Sequence, residues 1–200
     1  MHIERPTSGQ PIPSHAKKVF KGILFDVYQW EQKLFDGKIQ TFEKAKRPDT
    51  VVVFPVLPDG TIIVTEQEQP GKEPFIGATG GRVDEGEDVL HAAKRELLEE
   101  SGYEADRFIL WHAEQPIEKV EWAVYTFIAK GLRKAADLHP DGGEKIVLKP
   151  ITFDELLNLA HDKRFAEREV VPYLLEAKID PGRKEELKKL FEPGFPPARE

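Results

Sequence analysis

Two hundred residues with 36 acidic and 29 basic side chains, a net charge of −7, make an acidic chain that repels nucleic-acid phosphates and excludes nucleic acid as a general partner. With no cysteine, the chain has no disulfide, no thiol nucleophile and no Cys-ligated zinc, which fits a reducing compartment. No run approaches the ~18 apolar residues of a membrane span, and Met1–Lys18 lacks the apolar core of a signal peptide, so a cytoplasmic protein without a membrane partner is expected.

Residues 1–17 carry Pro6, Pro11 and Pro13, show no periodicity and read as a loose arm. β-prone residues run from Val19 to Trp30, and Asp36-Gly37 marks a turn between Tyr28–Phe35 and Lys38–Lys44. Together they predict a small antiparallel sheet within residues 1–46, with too little core to stand alone, so a homodimer is expected.

After Arg47-Pro48-Asp49, Thr50–Val56 and Thr61–Glu66 read as strands joined by Pro58-Asp59-Gly60. The first is apolar throughout, as a strand covered on both faces is. Gly77–Gly86 is a glycine-rich stretch, followed by a predicted helix from Glu87 to Ser101 with Gly102 as its stop. Phe108–Ala113, Glu121–Ala129 and Lys145–Leu148 are further strands. Thr152 and Glu155 form a capping box for a helix over Phe153–His161. A second helix is expected over Glu167–Lys178, with Pro172 leaving its start undefined, and Asp180-Pro181 opens a third. Residues 193–200 read as a frayed tail, leaving 47–192 as the main domain. Strands, one central helix, more strands and then helices predict an α+β chain with a mixed sheet flanked by helices.

Glu96, Glu99 and Glu100 are spaced three and four apart, which gathers their carboxylates on neighbouring turns of one helix face. Leu90, Ala93 and Leu97 form a separate apolar stripe. Like charges so placed cost roughly 0.2–0.5 kcal/mol per pair, which asks for compensation. Arg95 offers some, by pairing with Glu99 or with Glu87. The other carboxylates are hard oxygen donors suited to Mg²⁺ or Mn²⁺, ions that hold a diphosphate and acidify an attacking water. A solvated acidic face is the alternative reading of the same spacing.

Gly81, Glu87, Arg95, Glu96, Leu97, Glu99, Glu100, Gly102 and Tyr103 together resemble the Nudix box, G-x5-E-x7-R-E-U-x-E-E-x-G-U, where U is a bulky apolar residue; every fixed position is matched. The resemblance implies an α/β/α sandwich with a mixed sheet. It implies Glu96 and Glu100 as principal Mg²⁺ ligands, with Mn²⁺ as substitute, Glu99 as a further ligand or water-orienting group, and the Gly80 carbonyl in the metal shell. Arg95 and Glu87 become the ion pair that holds the loop onto the helix. The implied reaction is attack of water on a phosphorus of a nucleoside diphosphate linked to another moiety.

Outside the box the chain resembles the ADP-ribose and nucleotide-sugar pyrophosphatase branch. The N-terminal sheet, exchanged across a homodimer in that branch, is one feature. Arg47-Pro48-Asp49, Glu66-Gln67 and Pro116, fourteen residues after Gly102, are the others. On that resemblance Arg47, Pro116 and Gln69 are candidate substrate contacts, and Trp30 a base-stacking one across the dimer. The competing readings are a strand-end residue, a turn proline and a core aromatic.

Two positions depart from the branch: Gln69 stands where arginine is common, and Gly77-Ala78-Thr79-Gly80-Gly81 replaces E-x-P-A-G. They set a nucleoside diphosphate hexose against ADP-ribose as substrate. Glu144, in Asp141-Gly142-Gly143-Glu144, matches the branch's late-loop general base; a plain hairpin acid is the alternative, and Glu118 and Glu121 are the other candidates, Glu121 reading as a solvent-facing acid at a strand start. Rival functions are a nucleoside triphosphate or dinucleotide pyrophosphohydrolase and a catalytically inactive nucleotide-sensing module. The isomerase chemistry of the same fold requires a cysteine.

Overall fold

The computed structural model describes residues 3–138 and 143–194. Three strands open the chain, β1 (Lys17–Lys21), β2 (Asp26–Lys33) and β3 (Ile39–Lys46). Then come β4 (Thr50–Pro55), β5 (Ile62–Gln69), β6 (Lys72–Gly77), β7 (Thr79–Arg82) and the helix α1 (Val89–Ser101). Strands β8 (Tyr103–Glu114), β9 (Val120–Glu121), β10 (Val124–Lys134) and β11 (Lys145–Ile151) precede α2 (Phe153–Leu159), a 3-10 turn at Arg168–Val170, α3 (Val171–Ile179) and α4 (Pro181–Phe191).

The central sheet has the order β7-β4-β10-β8, parallel between β4 and β10 and antiparallel elsewhere. Alternation along β4 explains its unbroken apolar character. Val51 and Val53 face Ala92, Ala93 and Leu97 of α1, whereas Val52 and Phe54 face a second core containing Val64, Leu156, Leu174 and Phe191. That second core is closed by the antiparallel sheet β11-β5-β6 and by α2, α3 and α4. The α+β class and the sandwich of helices about a mixed sheet are thus present.

Local chemistry sets the boundaries. α1 begins at Val89, two residues later than expected, because the Asp88 carboxylate accepts the Leu90 and His91 N–H groups at 3.0 and 3.1 Å. The expected run Val19–Trp30 is broken by a turn in which Gly22 N donates to Phe25 O at 2.9 Å. Pro172 sits in the first turn of α3 and delays that helix to Val171.

The glycine-rich stretch conceals a strand. β7 lies so close to β4 that a Cβ on Gly80, whose φ is 156°, would collide with the Val51 carbonyl, and one on Gly81 with the Glu96 carboxylate.

The small N-terminal sheet borrows β9 from the main domain, giving the order β1-β2-β3-β9, so the first 46 residues do not form a closed unit. The described part of the arm is pinned rather than loose. Lys44 is buried and donates to Ser8 Oγ and Gln10 O while pairing with Glu121 at 3.0 Å; Arg5 bridges Asp49 at 2.8 Å and Glu121 at 2.7 Å. A buried ammonium needs such acceptors, and the arm supplies two of them. Residues 195–200 of the expected tail lie outside the described residues. Among the described residues no helix is long and apolar enough to cross a membrane.

Candidate active site

The helix spacing does what its period dictates. Glu96 and Glu100 turn inward and are buried, while Glu99, on the edge of the same face, keeps 47% of its side chain exposed. They point at the glycine backbone of β7, where Gly80 N donates to Glu100 Oε2 at 2.9 Å. A cavity of about 770 Å³ opens over this contact and is lined by Glu96, Glu99, Glu100, Gly80, Gly81 and Arg95, among others.

Arg95 braces the acidic end of the site. It holds both oxygens of Glu87 at 3.0 Å, Glu96 Oε1 at 2.8 Å, Glu99 Oε2 at 3.1 Å and the Arg82 carbonyl at 2.9 Å. Both pairings considered for it therefore coexist. The Arg95 hydrogen bonds, aided by the Asp84 N–H, hold the Glu87 carboxyl well below its usual range, at about 2. Glu100 is displaced the other way, to about 8. Burial is the main cause, partly offset by the Gly80 N–H and reinforced by Glu96, Glu144 and Glu167.

Such a buried, mutually repelling set is costly unless a cation joins it. The donors that would hold one are carboxylates and the Gly80 carbonyl, hard oxygens that fit Mg²⁺ by type. Among the described residues they do not form a ready-made cage, and Arg95 and Gly80 N take up some of their oxygens.

Other candidates fall on the walls. Glu144 accepts from Gln69 Nε2 at 2.8 Å, and both line the cavity; Asp141 and Gly142 of the expected glycine turn lie outside the described residues. Arg47 lines the cavity mouth with its guanidinium carbon 4.6 Å from the Trp122 ring centroid and 5.9 Å from that of Phe25. Its Nε is buried without a hydrogen-bond partner among the described residues, and burial together with Arg82 pulls its pKa down.

Trp30 and Pro116 are not brought to this cavity within one chain. Trp30 is buried in the N-terminal sheet, 6.2 Å from Phe42 between ring centroids, and Pro116 and Glu118 are exposed on a loop. Glu121 is not solvent-facing: Arg5, Lys44 and Gln115 consume it in the cluster that pins the arm.

Glu167, Lys72, Phe75 and Trp122 also line the cavity and were not anticipated, and Gln67, noted only as part of the Glu66-Gln67 resemblance, lines it too. Glu167 Oε1 accepts from Ala78 N at 2.8 Å, and burial raises its pKa. The one sequence signal toward it was negative, the missing acid at Gly77.

Comparison with known proteins follows the same lines. Residues 46–174 match the NUDIX domain. The chain is 29% identical over 162 residues to the methanol dehydrogenase activator of Bacillus methanolicus, covering 78% of this chain and 86% of that one. It is 33% identical over 92 residues to the ADP-ribose pyrophosphatase of Bacillus subtilis (strain 168), covering 46% and 50%. The crystal structure of an ADP compounds hydrolase shares the fold, with a TM-score of 0.69, 22% identity and coverage of 94% and 99%. The family match and the relative named as an ADP-ribose pyrophosphatase give the class, a hydrolase that works on a diphosphate bond. With more than half of its length matched, the chain belongs to the NUDIX domain family.

Proposed function

We propose that the protein is a Mg²⁺-dependent hydrolase, with Mn²⁺ as substitute, that cleaves the diphosphate of ADP-ribose or a nucleotide sugar to a nucleoside monophosphate and a sugar phosphate. The observation that carries this reading is the pair of buried carboxylates, Glu96 and Glu100, set against the backbone of Gly80 and Gly81 on the cavity floor. Glu96, Glu100, Glu99 and the Gly80 carbonyl would hold the cation. When bound, it neutralises the diphosphate and lowers the pKa of an attacking water.

Glu144 suits a general base. Gln69 fixes one of its oxygens at 2.8 Å and leaves the other to take a proton from water. Arg47, laid on Trp122 with an unused donor, suits a phosphate or base contact at the mouth. The B. subtilis relative named as an ADP-ribose pyrophosphatase supports the substrate class. Exposed Val19, Phe20, Ile23 and Phe25 on and beside β1 support a homodimer through the N-terminal sheet, and the absence of cysteine supports the cytoplasm.

A panel of ADP-ribose, GDP-mannose, UDP-glucose, NADH, diadenosine polyphosphates and dGTP with Mg²⁺ tests the proposal. ADP-ribose or a nucleotide sugar should give the highest kcat/KM; dGTP or a dinucleotide in first place would contradict it. The relative named as a methanol dehydrogenase activator favours one second reading, action on a partner enzyme. A change in a partner dehydrogenase's rate on addition of this protein, without turnover of the panel, would select that reading.

A further inference from the structure

Glu167 reaches the cavity by a route independent of the box. The segment before it lies against the end of β6, where Ile76 N donates to Arg164 O at 2.9 Å and Ala166 N to Ile76 O at 2.7 Å. These bonds make a parallel bridge between Ile76 and Phe165, and Phe165 is fully buried, which fixes the register. Two residues on, Glu167 enters the cavity wall and takes the Ala78 N–H on Oε1. Gly77 leaves the room for it, since a Cβ there would stand 2.8 Å from that oxygen. The carboxylate thus fills the space that a side chain at position 77 would claim. Its second oxygen has no hydrogen-bond partner among the described residues.

The two sides of the cavity differ in chemistry. Arg47, Arg82 and Trp122 gather at the Thr50 end of the β4–β7 pair, a cationic and aromatic side. On the β5–β6 side stand Glu167, the Gln69–Glu144 pair and the Lys72 ammonium, 3.2 Å from the Phe75 ring centroid, so carboxylates outnumber cations there two to one. A carboxylate accepts hydrogen bonds and donates none, so it favours hydroxyls and repels phosphate.

Resting on the hydrolase reading above, we propose that Glu167 is a specificity-determining residue. It hydrogen-bonds a hydroxyl of the sugar on the far side of the diphosphate and disfavours an anionic group in that place. A substrate with its nucleoside toward Arg47 and Trp122 and its diphosphate over the box would put its second substituent against Glu167.

The test compares ADP-ribose with the methyl ester of ADP, which keeps the nucleoside and the diphosphate but has no second sugar. In Glu167→Gln the Ala78 N–H still finds an acceptor of the same shape, while the anionic acceptor is gone. The expected result is a fall of about tenfold in kcat/KM for ADP-ribose, carried by KM, with the methyl ester changed by less than about twofold. Gly77→Ala, which pushes the carboxylate off its anchor while keeping its charge, should show the same split.

Calorimetric titration of the metal-free protein with the two ligands gives a second readout, in which ADP-ribose loses affinity and the methyl ester does not. Equal losses on both ligands would overturn the inference by assigning Glu167 to the water- or cation-handling groups, and no loss on either would overturn it as well. Absence of turnover in the wild type, with the binding difference intact, would overturn only the hydrolase reading.

Discussion

Arg95 grips both carboxylate oxygens of Glu87 at 3.0 Å each, across eight residues and the whole turn that precedes α1. This closed fork ties the loop to the helix, and the same guanidinium steadies Glu96. Glu87→Gln should destabilise the protein by about 1–2 kcal/mol in urea titrations at pH 7. The pH dependence has a definite sign. The folded-state pKa is depressed to about 2 from an ordinary 4.5, so the stabilisation is complete above pH 4.5 and is lost as pH falls toward 2. The gap between wild type and variant should therefore close in acid; a gap that is constant from pH 7 to pH 2.5 would refute the ion-pair account.

Glu100 has the opposite linkage. Burial keeps its proton in the folded state up to about pH 8, whereas the unfolded chain releases it near 4.5. Between those values the native state binds more protons, so metal-free stability should decline as pH rises from 4.5 to 8. Glu100→Gln should flatten that decline and abolish Mg²⁺-dependent turnover while leaving the fold intact by circular dichroism. Mg²⁺ should raise the Tm of the wild type at pH 8 and leave the variant's nearly unchanged. Turnover retained within a few-fold would contradict the metal role.

For Glu144, the hydrogen bond from Gln69 orients the carboxylate toward the cavity without neutralising it. If it takes the water's proton, Glu144→Gln should cost about a hundredfold or more in kcat with KM little changed. Gln69→Ala, which removes only the orientation, should cost less. A variant with unchanged kcat would return Glu144 to a plain hairpin acid.

What could be read from the chain depended on how far apart the interacting residues lie. The box was legible because each position does its work within a few turns: Asp88 caps, Gly102 stops, and the glutamates share a face at fixed spacing. β4 was legible because double-sided burial leaves an unbroken apolar run. β7 was hidden because its glycines, required by the close approach to Val51 and Glu96, have the composition of a loop. Glu167 was beyond reach, since its place depends on a bridge between Ile76 and Phe165 that no local pattern encodes. Glu121 misled in the other direction: a lone acid at a strand start looks solvated until Lys44 and Arg5, distant in sequence, bury it.

The N-terminal sheet leaves a last relationship to test. β1 is exposed along its whole length and, among the described residues, pairs on one side only, with β2, so it is an open edge. Phe20 on that strand is 59% exposed, and Ile23 and Phe35 in the neighbouring turns are fully so. An apolar edge of this kind aggregates unless another surface covers it. Light scattering at micromolar concentration should show a homodimer. Phe20→Glu should shift it to monomer and, if the partner completes the site, lower kcat/KM by about tenfold or more through KM. A monomer with full activity would remove Trp30 from the substrate contacts and leave Arg47 and Trp122 to hold the nucleoside alone.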